Sequence, residues 1–372
     1  MKKSWSESSK RKTKRNCILL LFMLLLLCML LYNSYRKKEG LRFVQKMGNG
    51  INLGNTLDAT NLRDYKPEAD DLDYETFWGN PKITREQLLT IREAGFRTVR
   101  IPVTFEDHLD KDFNISKRWM NRVTEVIDMA LAEGLYVIID LHGDEYMDLQ
   151  VSDKETIKAN FEKVWTQIAM QFRDYDNHLL FEGMNEPRLR ESEYEWTEGT
   201  PELRAFVNEL NQTFVDTVRN IGGNNQERYL LICPYCNGPW EKALEDLAVP
   251  RGNIIVAVHM YRPYNFCQNE TGTVEWDRNV HEDTFESEEA FRLMGEKFIQ
   301  NDIPVIFTEF GCVDKNNAEE RKEWASFYME LSKKYQIPCI WWDNGSTYQL
   351  LDREKNEWIY PDIVSVIANT ED

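Results

Sequence analysis

The sequence predicts an α/β fold, a (β/α)8 TIM barrel preceded by an N-terminal membrane-anchor segment. Three observations carry this. From about residue 43 onward, short apolar runs alternate with amphipathic segments, without a long low-complexity linker. Eight such runs can be counted, which over a body of this length suits one barrel with insertions. Nearly every run ends in a polar or aromatic residue, and barrel enzymes do their chemistry at the C-terminal ends of the strands.

In chain order, the first element is the anchor. Lys10-Arg11-Lys12 and Lys14-Arg15 precede an unbroken apolar run from Cys17 to Tyr32. No small-x-small cleavage site follows, and basic residues are denser before the run than after it. This is the pattern of an uncleaved signal anchor that keeps the N-terminus inside and exports the body; a cleaved signal peptide is the alternative. The organisation is therefore residues 1–38 as a basic tail and anchor (17–32), and residues 43–372 as the barrel. The expected location is extracytoplasmic, at the cell membrane or secreted.

The strands are expected at Gly50–Leu53, Thr98–Ile101, Tyr136–Asp140, Leu179–Gly183, Tyr229–Cys233, Ile254–His259, Val305–Glu309 and Cys339–Trp342. Each is a short apolar run bounded by Gly, Pro or polar residues. Between them lie helix patterns. Thr84 caps a segment to Ala94 that Gly95 closes, and Ser116 opens a longer one that ends at Gly134. Further helices are expected over residues 153–172, 203–220, 287–301 and 318–335, with a short broken one over 239–247, and Pro361 opens the last. A doubly wound open sheet is the competing fold, but it wants a Gly-rich loop leading from its first strand into a helix. Here the glycines of Gly48-Asn49-Gly50-Ile51-Asn52-Leu53-Gly54 run into and through the strand.

Charge and cysteine narrow the function. The formal net charge is −18, yet residues 1–38 carry ten Lys and Arg against one acid, Glu7, so the body is strongly acidic. An acidic body argues against nucleic acid as a partner. Of seven cysteines, five lie widely spaced in the body, which is no disulfide framework. Cys233-Pro234-Tyr235-Cys236 has redox spacing but runs into a loop rather than a thioredoxin-like helix.

The strand ends supply the chemistry. Glu186, in Met184-Asn185-Glu186-Pro187, and Glu309, in Phe307-Thr308-Glu309-Phe310, follow the fourth and seventh strands. If a barrel mouth brings two such carboxyls to about 5–5.5 Å, one attacks an anomeric carbon while the other protonates the leaving oxygen. The acid then needs a raised pKa and the nucleophile a nearby cation. Arg100, which cannot lose its proton, is the candidate cation. Asn185 can bond a sugar hydroxyl, while His259 and Tyr261, two apart, present donors on one face that can orient Glu309. Trp342 offers a flat apolar face to a pyranose ring. His142, at the end of the third strand, is the other histidine at the mouth. No metal-spaced cluster accompanies it, so no metal or other cofactor is expected.

These residues sit in motifs that together resemble glycoside hydrolase family 5, the cellulase family, and within it the subfamily 4 of endo-β-1,4-glucanases, xyloglucanases and lichenases. The motifs are GINLGNTLDA (50–59), WGNP (78–81), AGFRTVRIPVTF (94–105), LLFEGMNEPR (179–188), VAVHMYRPYNF (256–266), FTEFG (307–311) and IPCIWWDNG (337–345). The resemblance implies a barrel and a retaining double displacement. It implies Glu186 as acid/base and Glu309 as nucleophile, with Arg100, His142, Asn185, His259 and Tyr261 around them. It implies Trp342 as sugar platform, and Asn55 and Asp58 as contacts on the non-reducing side. The chain departs from the family where Gly143 follows His142 in place of a second histidine, and where Ile51 replaces a common tryptophan; both bear on glucan preference. The expected activity is an endo-β-1,4-glucanase acting as a monomer on a β-glucan polysaccharide. Xyloglucanase, lichenase or mannanase action is the alternative, and an inactive surface-tethered glycan-binding barrel is the alternative of another class.

Overall fold

The computed structural model describes residues 38–143 and 148–368, together with residues 16, 18, 20, 22 and 23. The anchor expected over 17–32 lies, but for four of those positions, outside the described residues, as do Cys17 and Cys28. Among the described residues no helix is long and apolar enough to cross a membrane.

Eight parallel strands close into a barrel in the order of the chain: β1 (Gly50–Asn52), β2 (Thr98–Ile101), β3 (Tyr136–Asp140), β4 (Leu179–Glu182), β5 (Leu230–Ile232), β6 (Ile254–Met260), β7 (Val305–Phe310) and β8 (Cys339–Trp341). The pairing of β8 with β1 shuts the ring, Gly50 against Ile340 and Ile51 against Trp341. Every expected strand is found, the second and third at the expected bounds and the others with ends moved by a single residue. A helix follows each: α1 (Arg85–Glu93), α2 (Lys117–Ala132), α3 (Lys154–Gln171), α4 (Pro201–Ile221), α5 (Glu241–Glu245), α6 (His281–Lys297), α7 (Ala318–Tyr335) and α8 (Pro361–Ala368).

The helices start where the sequence can satisfy their free backbone donors. Thr84 and Gln87 form a reciprocal capping box at α1, Ser116 caps α2, and Thr200 caps α4 with Pro201 in the first turn. Along α2, Trp119, Met120, Val123, Val126, Ile127 and Ala130 are buried, the stripe a 3.6-residue period lays on one face. The structure starts α6 at His281, six residues before the sequence suggests. Its first turns are polar and largely exposed, so they carry no apolar signal.

Strand side chains alternate between two environments. Val137, Leu179, Phe181, Leu230, Ile232, Val256, Val305 and Phe307 join the large cluster between sheet and helices. Ile138, Leu180, Leu231, Ile255, Ala257, Ile306 and Ile340 form a second cluster inside the barrel. This second cluster is plugged from below by the helix over residues 38–47, which straddles the boundary expected at residue 43. Val44 and Met47 are fully buried in it, and Phe43 stacks on Tyr229 with ring centroids 3.9 Å apart. Two residues further along most strands, the inward positions become Asn52, Arg100, Asp140, Glu182, His259, Thr308 and Trp342. The same period that builds an apolar floor therefore builds a polar mouth.

Candidate active site

Arg100 is the hub of the mouth. Its side chain is fully buried, and its guanidinium uses all three nitrogens on carboxylates: Nε donates to Glu182 at 2.6 Å, Nη2 to Asp140 at 2.6 Å, and Nη1 to Glu309 at 2.8 Å. Further bonds reach Asn52 Oδ1 (3.1 Å) and Asn185 Oδ1 (3.0 Å). Burial opposes the charge, but the three acids outweigh it and hold Arg100 protonated well above even its ordinary range. For Asp140 burial also opposes the charged form and so acts upward, but Arg100 and His142 bring the carboxyl below its usual value. For Glu182 burial prevails, and with Asp140 nearby the carboxyl is raised despite Arg100.

Glu309 faces this cluster because the sheet is irregular at that point. Its neighbour Thr308 also points inward, donating to Glu182 Oε1 at 3.0 Å. Consecutive strand residues normally point to opposite faces. The pairing of β6 with β7 slips by one residue between Val258 and His259, and β7 with β8 slips between Phe307 and Phe310. This bulge lets both side chains enter the barrel. Glu309 then receives Arg100 on Oε1 and the Tyr261 hydroxyl on Oε2 at 2.8 Å.

Glu186 follows β4 in a left-handed turn, with φ of +46°. Its carboxyl meets His259 Nδ1 at 2.8 Å, while the same nitrogen is 3.4 Å from Glu309. His259 thus serves Glu186 first, rather than Glu309 as the sequence suggested. Donor atoms of Glu186, His259 and Glu309 all lie within 4.8 Å of one another. The trio could in principle hold a cation, but its nearest oxygens are already bonded, by His259 and by Tyr261. The sequence argument expects the acid to be raised; here Glu186 is lowered. Burial pushes its carboxyl up, and the hydrogen bond and charge of His259, helped by Arg188 and His142, overcome this.

His142 is bonded through Nδ1 to Asp140 at 2.9 Å and lies parallel to the Trp342 indole, with interplanar angle 4° and centroids 5.7 Å apart. Burial lowers its pKa, but Asp140 and Asp58 overcome that and push it up to about 9. Trp342 is half-buried and lies so close over Gly54 that a Cβ there would come within 2.6 Å of the ring. Its neighbour Trp341 turns outward and is fully buried against Phe310 and Trp324.

Asn55 is half-buried at the same rim with φ of +57°. Asp58 is not an open sugar contact. It is 1% exposed, its oxygens accept the backbone N–H groups of Asn55 and Thr56, and one of them stands 4.0 Å from His142. Of the two departures, Gly143 adopts φ of +72°, a conformation that disfavours a histidine. Ile51 faces outward, fully buried, and cannot touch a ligand in the mouth.

Sequence reasoning missed Glu182 and Thr308 as site residues. Glu182 was findable, since it lies two positions beyond the inward Leu180. The cleft continues past Glu186 into a cavity of about 670 Å³ walled by Trp196, Trp240, Tyr264 and Tyr348. Arg188 ties this wall to the site: its guanidinium lies 4.1 Å from the Trp196 ring and bonds the Glu186 carbonyl at 2.9 Å. Cys233 and Cys236 are free and buried, and burial raises both thiols well above their usual range. The site is a polar, aromatic-walled cleft with two close carboxyls, Glu309 held by Arg100 and Glu186 by His259.

The profile of the cellulase family, glycosyl hydrolase family 5, matches residues 64–347. Endoglucanase A of Ruminococcus albus is 38% identical over 348 residues, covering 89% of this chain and 93% of that protein. Endoglucanase A of Clostridium longisporum is 37% identical over 337 residues, covering 88% of this chain; the chain spans 65% of that relative's length. Among solved structures, a broad-specificity endoglucanase of subfamily 4 from Ruminococcus champanellensis, with bound cellotriose, superposes with a TM-score of 0.85 at 35% identity, covering 88% of this chain and 98% of that one.

Proposed function

Because this chain belongs to the cellulase family, glycosyl hydrolase family 5, we propose that it is an endo-β-1,4-glucanase that cleaves internal bonds of β-glucans with retention of configuration. The observation that carries the reading is the approach of the Glu186 and Glu309 oxygens to within 4.8 Å, the spacing of direct attack rather than of an interposed water.

Glu309 is the nucleophile. Arg100 and Tyr261 hold and aim its carboxylate, and one oxygen bonds C1 of the sugar as the C1–O4 bond breaks. Glu186 gives its proton to the departing O4. In the second half, Glu186 takes a proton from water, the water oxygen bonds C1, and the Glu309–C1 bond breaks. For the first half Glu186 must be protonated, and the 2.8 Å contact suits a single proton shared between its carboxyl and Nδ1 of His259. A glucan that covers the cleft strips water from Glu186 and favours that neutral form. Trp342 stacks under the sugar at the cleaved bond, Asn185 bonds its hydroxyl, and His142 and Asn55 line the non-reducing side, with Asp58 beneath them. The aromatic cavity beyond Glu186 receives the leaving glucan.

The decisive variant is Glu186→Gln. Reducing-sugar release from barley β-glucan should fall by about 10³-fold or more, while oligosaccharide binding persists. Unchanged turnover in that variant overturns the assignment. The N-terminal stretch supports an exported body held at the membrane; carbonate-washed membranes should retain the activity, and recovery of all of it in the medium refutes the anchor.

A further inference from the structure

We propose that Asn237 is a positioning residue for Glu186, a role that rests on the reading of Glu186 as acid/base. Asn237 lies in the turn after β5 and is fully buried. Its side chain bridges two acids. Oδ1 accepts the backbone N–H of Glu186 at 3.0 Å, and Nδ2 faces Glu182 Oε1 at 3.4 Å. The orientation of the amide is fixed from both sides, because a backbone N–H can only donate and a carboxylate can only accept.

Through Glu182 this bridge joins the Arg100 hub. Glu182 takes Arg100 Nε at 2.6 Å and the Thr308 hydroxyl at 3.0 Å, and Arg100 in turn holds Glu309. A continuous buried chain of hydrogen bonds therefore runs from the Glu309 carboxyl to the backbone of Glu186. It sets the separation of the two carboxyls from beneath, without touching the sugar.

The backbone shows what the arrangement demands. Glu186, Cys236 and Asn237 all have positive φ, +46°, +56° and +48°, in residues that carry a Cβ. Such conformations persist only where surroundings over-determine them. Cys236 N–H bonds the carbonyl of Pro187 at 2.8 Å, so the two strained turns are pinned to each other. Asparagine suits the position twice over: it tolerates left-handed backbone, and it offers both an acceptor and a donor. Aspartate would keep the acceptor but lose the donor and face Glu182 with a second carboxyl. Alanine would leave the Glu186 N–H without its partner.

The test exploits the chemistry of the leaving group. A sugar alkoxide needs the Glu186 proton, whereas 2,4-dinitrophenolate leaves without it. Wild type, Asn237→Ala and Asn237→Asp are assayed for kcat/KM on cellotetraose and on 2,4-dinitrophenyl β-cellobioside. A turn that no longer fixes Glu186 should cost about 10²-fold on cellotetraose and less than about fivefold on the activated glycoside. Added azide should restore kcat on the activated substrate by replacing the water that Glu186 no longer activates. If Asn237→Ala fails to fold, Asn237→Asp carries the same comparison, since it preserves size and backbone tolerance. Equal losses on both substrates, or no loss on cellotetraose, overturn the proposal while leaving the hydrolase reading intact. A wild-type enzyme idle on both substrates overturns the two together.

Discussion

The two ends of the barrel interior are built from the same strands two residues apart, and they are opposites. The floor is a small apolar cluster of Ile138, Leu180, Leu231, Ile306 and Ile340 closed by Val44 and Met47. The mouth packs Arg100, Asp140, Glu182 and Glu309 into contact with almost no solvent. Burial that stabilises the first costs free energy in the second, and charge pairing only offsets that cost while every partner is present. A barrel of this kind can therefore keep a reactive, unfavourable end because its other end is ordinary core.

The comparison is broken most severely at Arg100. Arg100→Met leaves three buried acids without their cation. We expect it to lower kcat/KM on barley β-glucan by about 10³-fold or more and stability by ~3–5 kcal/mol, read by urea unfolding. An unchanged midpoint would mean that the mouth is not held by charge. At the floor, Leu180→Ala should cost ~2–5 kcal/mol of stability yet leave kcat at wild-type level when measured well below the unfolding temperature. A drop in kcat there would mean that the two ends are mechanically coupled.

The smallest effect is a pH dependence confined to the mouth. The folded pKa of His142 is raised to about 9, above an unfolded value near 6.5. Its contribution is therefore fully present below about pH 6.5 and is lost as pH rises through about 9, by up to ~3 kcal/mol. Urea unfolding at pH 6 and pH 10 should show this loss in wild type and in Leu180→Ala, and much less of it in His142→Gln. An equal slope in His142→Gln would assign the dependence to another group.

Much of this was legible from residues alone, for reasons that are local. The eight strands announce themselves as short apolar runs with Gly and Pro at their ends, and Glu186 and Arg100 lie where those runs stop. The outward burial of Ile51 and the inward placement of Glu182 follow from counting by twos. What was not legible depends on contacts distant in sequence. The bulge that turns both Thr308 and Glu309 inward is a property of how β7 meets its neighbours. The lowered carboxyl of Glu186 depends on where His259 lands, 73 residues away. Asp58 reads as a polar rim residue, but its burial is set by the turn it closes with Asn55 and Thr56.

The helix over residues 38–47 reaches the barrel from underneath, beside Tyr229 and Pro304, which precede their strands. Whatever grips the chain upstream of that helix therefore pulls on the back of the enzyme. The mouth, at the opposite ends of the strands, stays clear of the chain's entry, as a cup is left open by a handle fixed under its base.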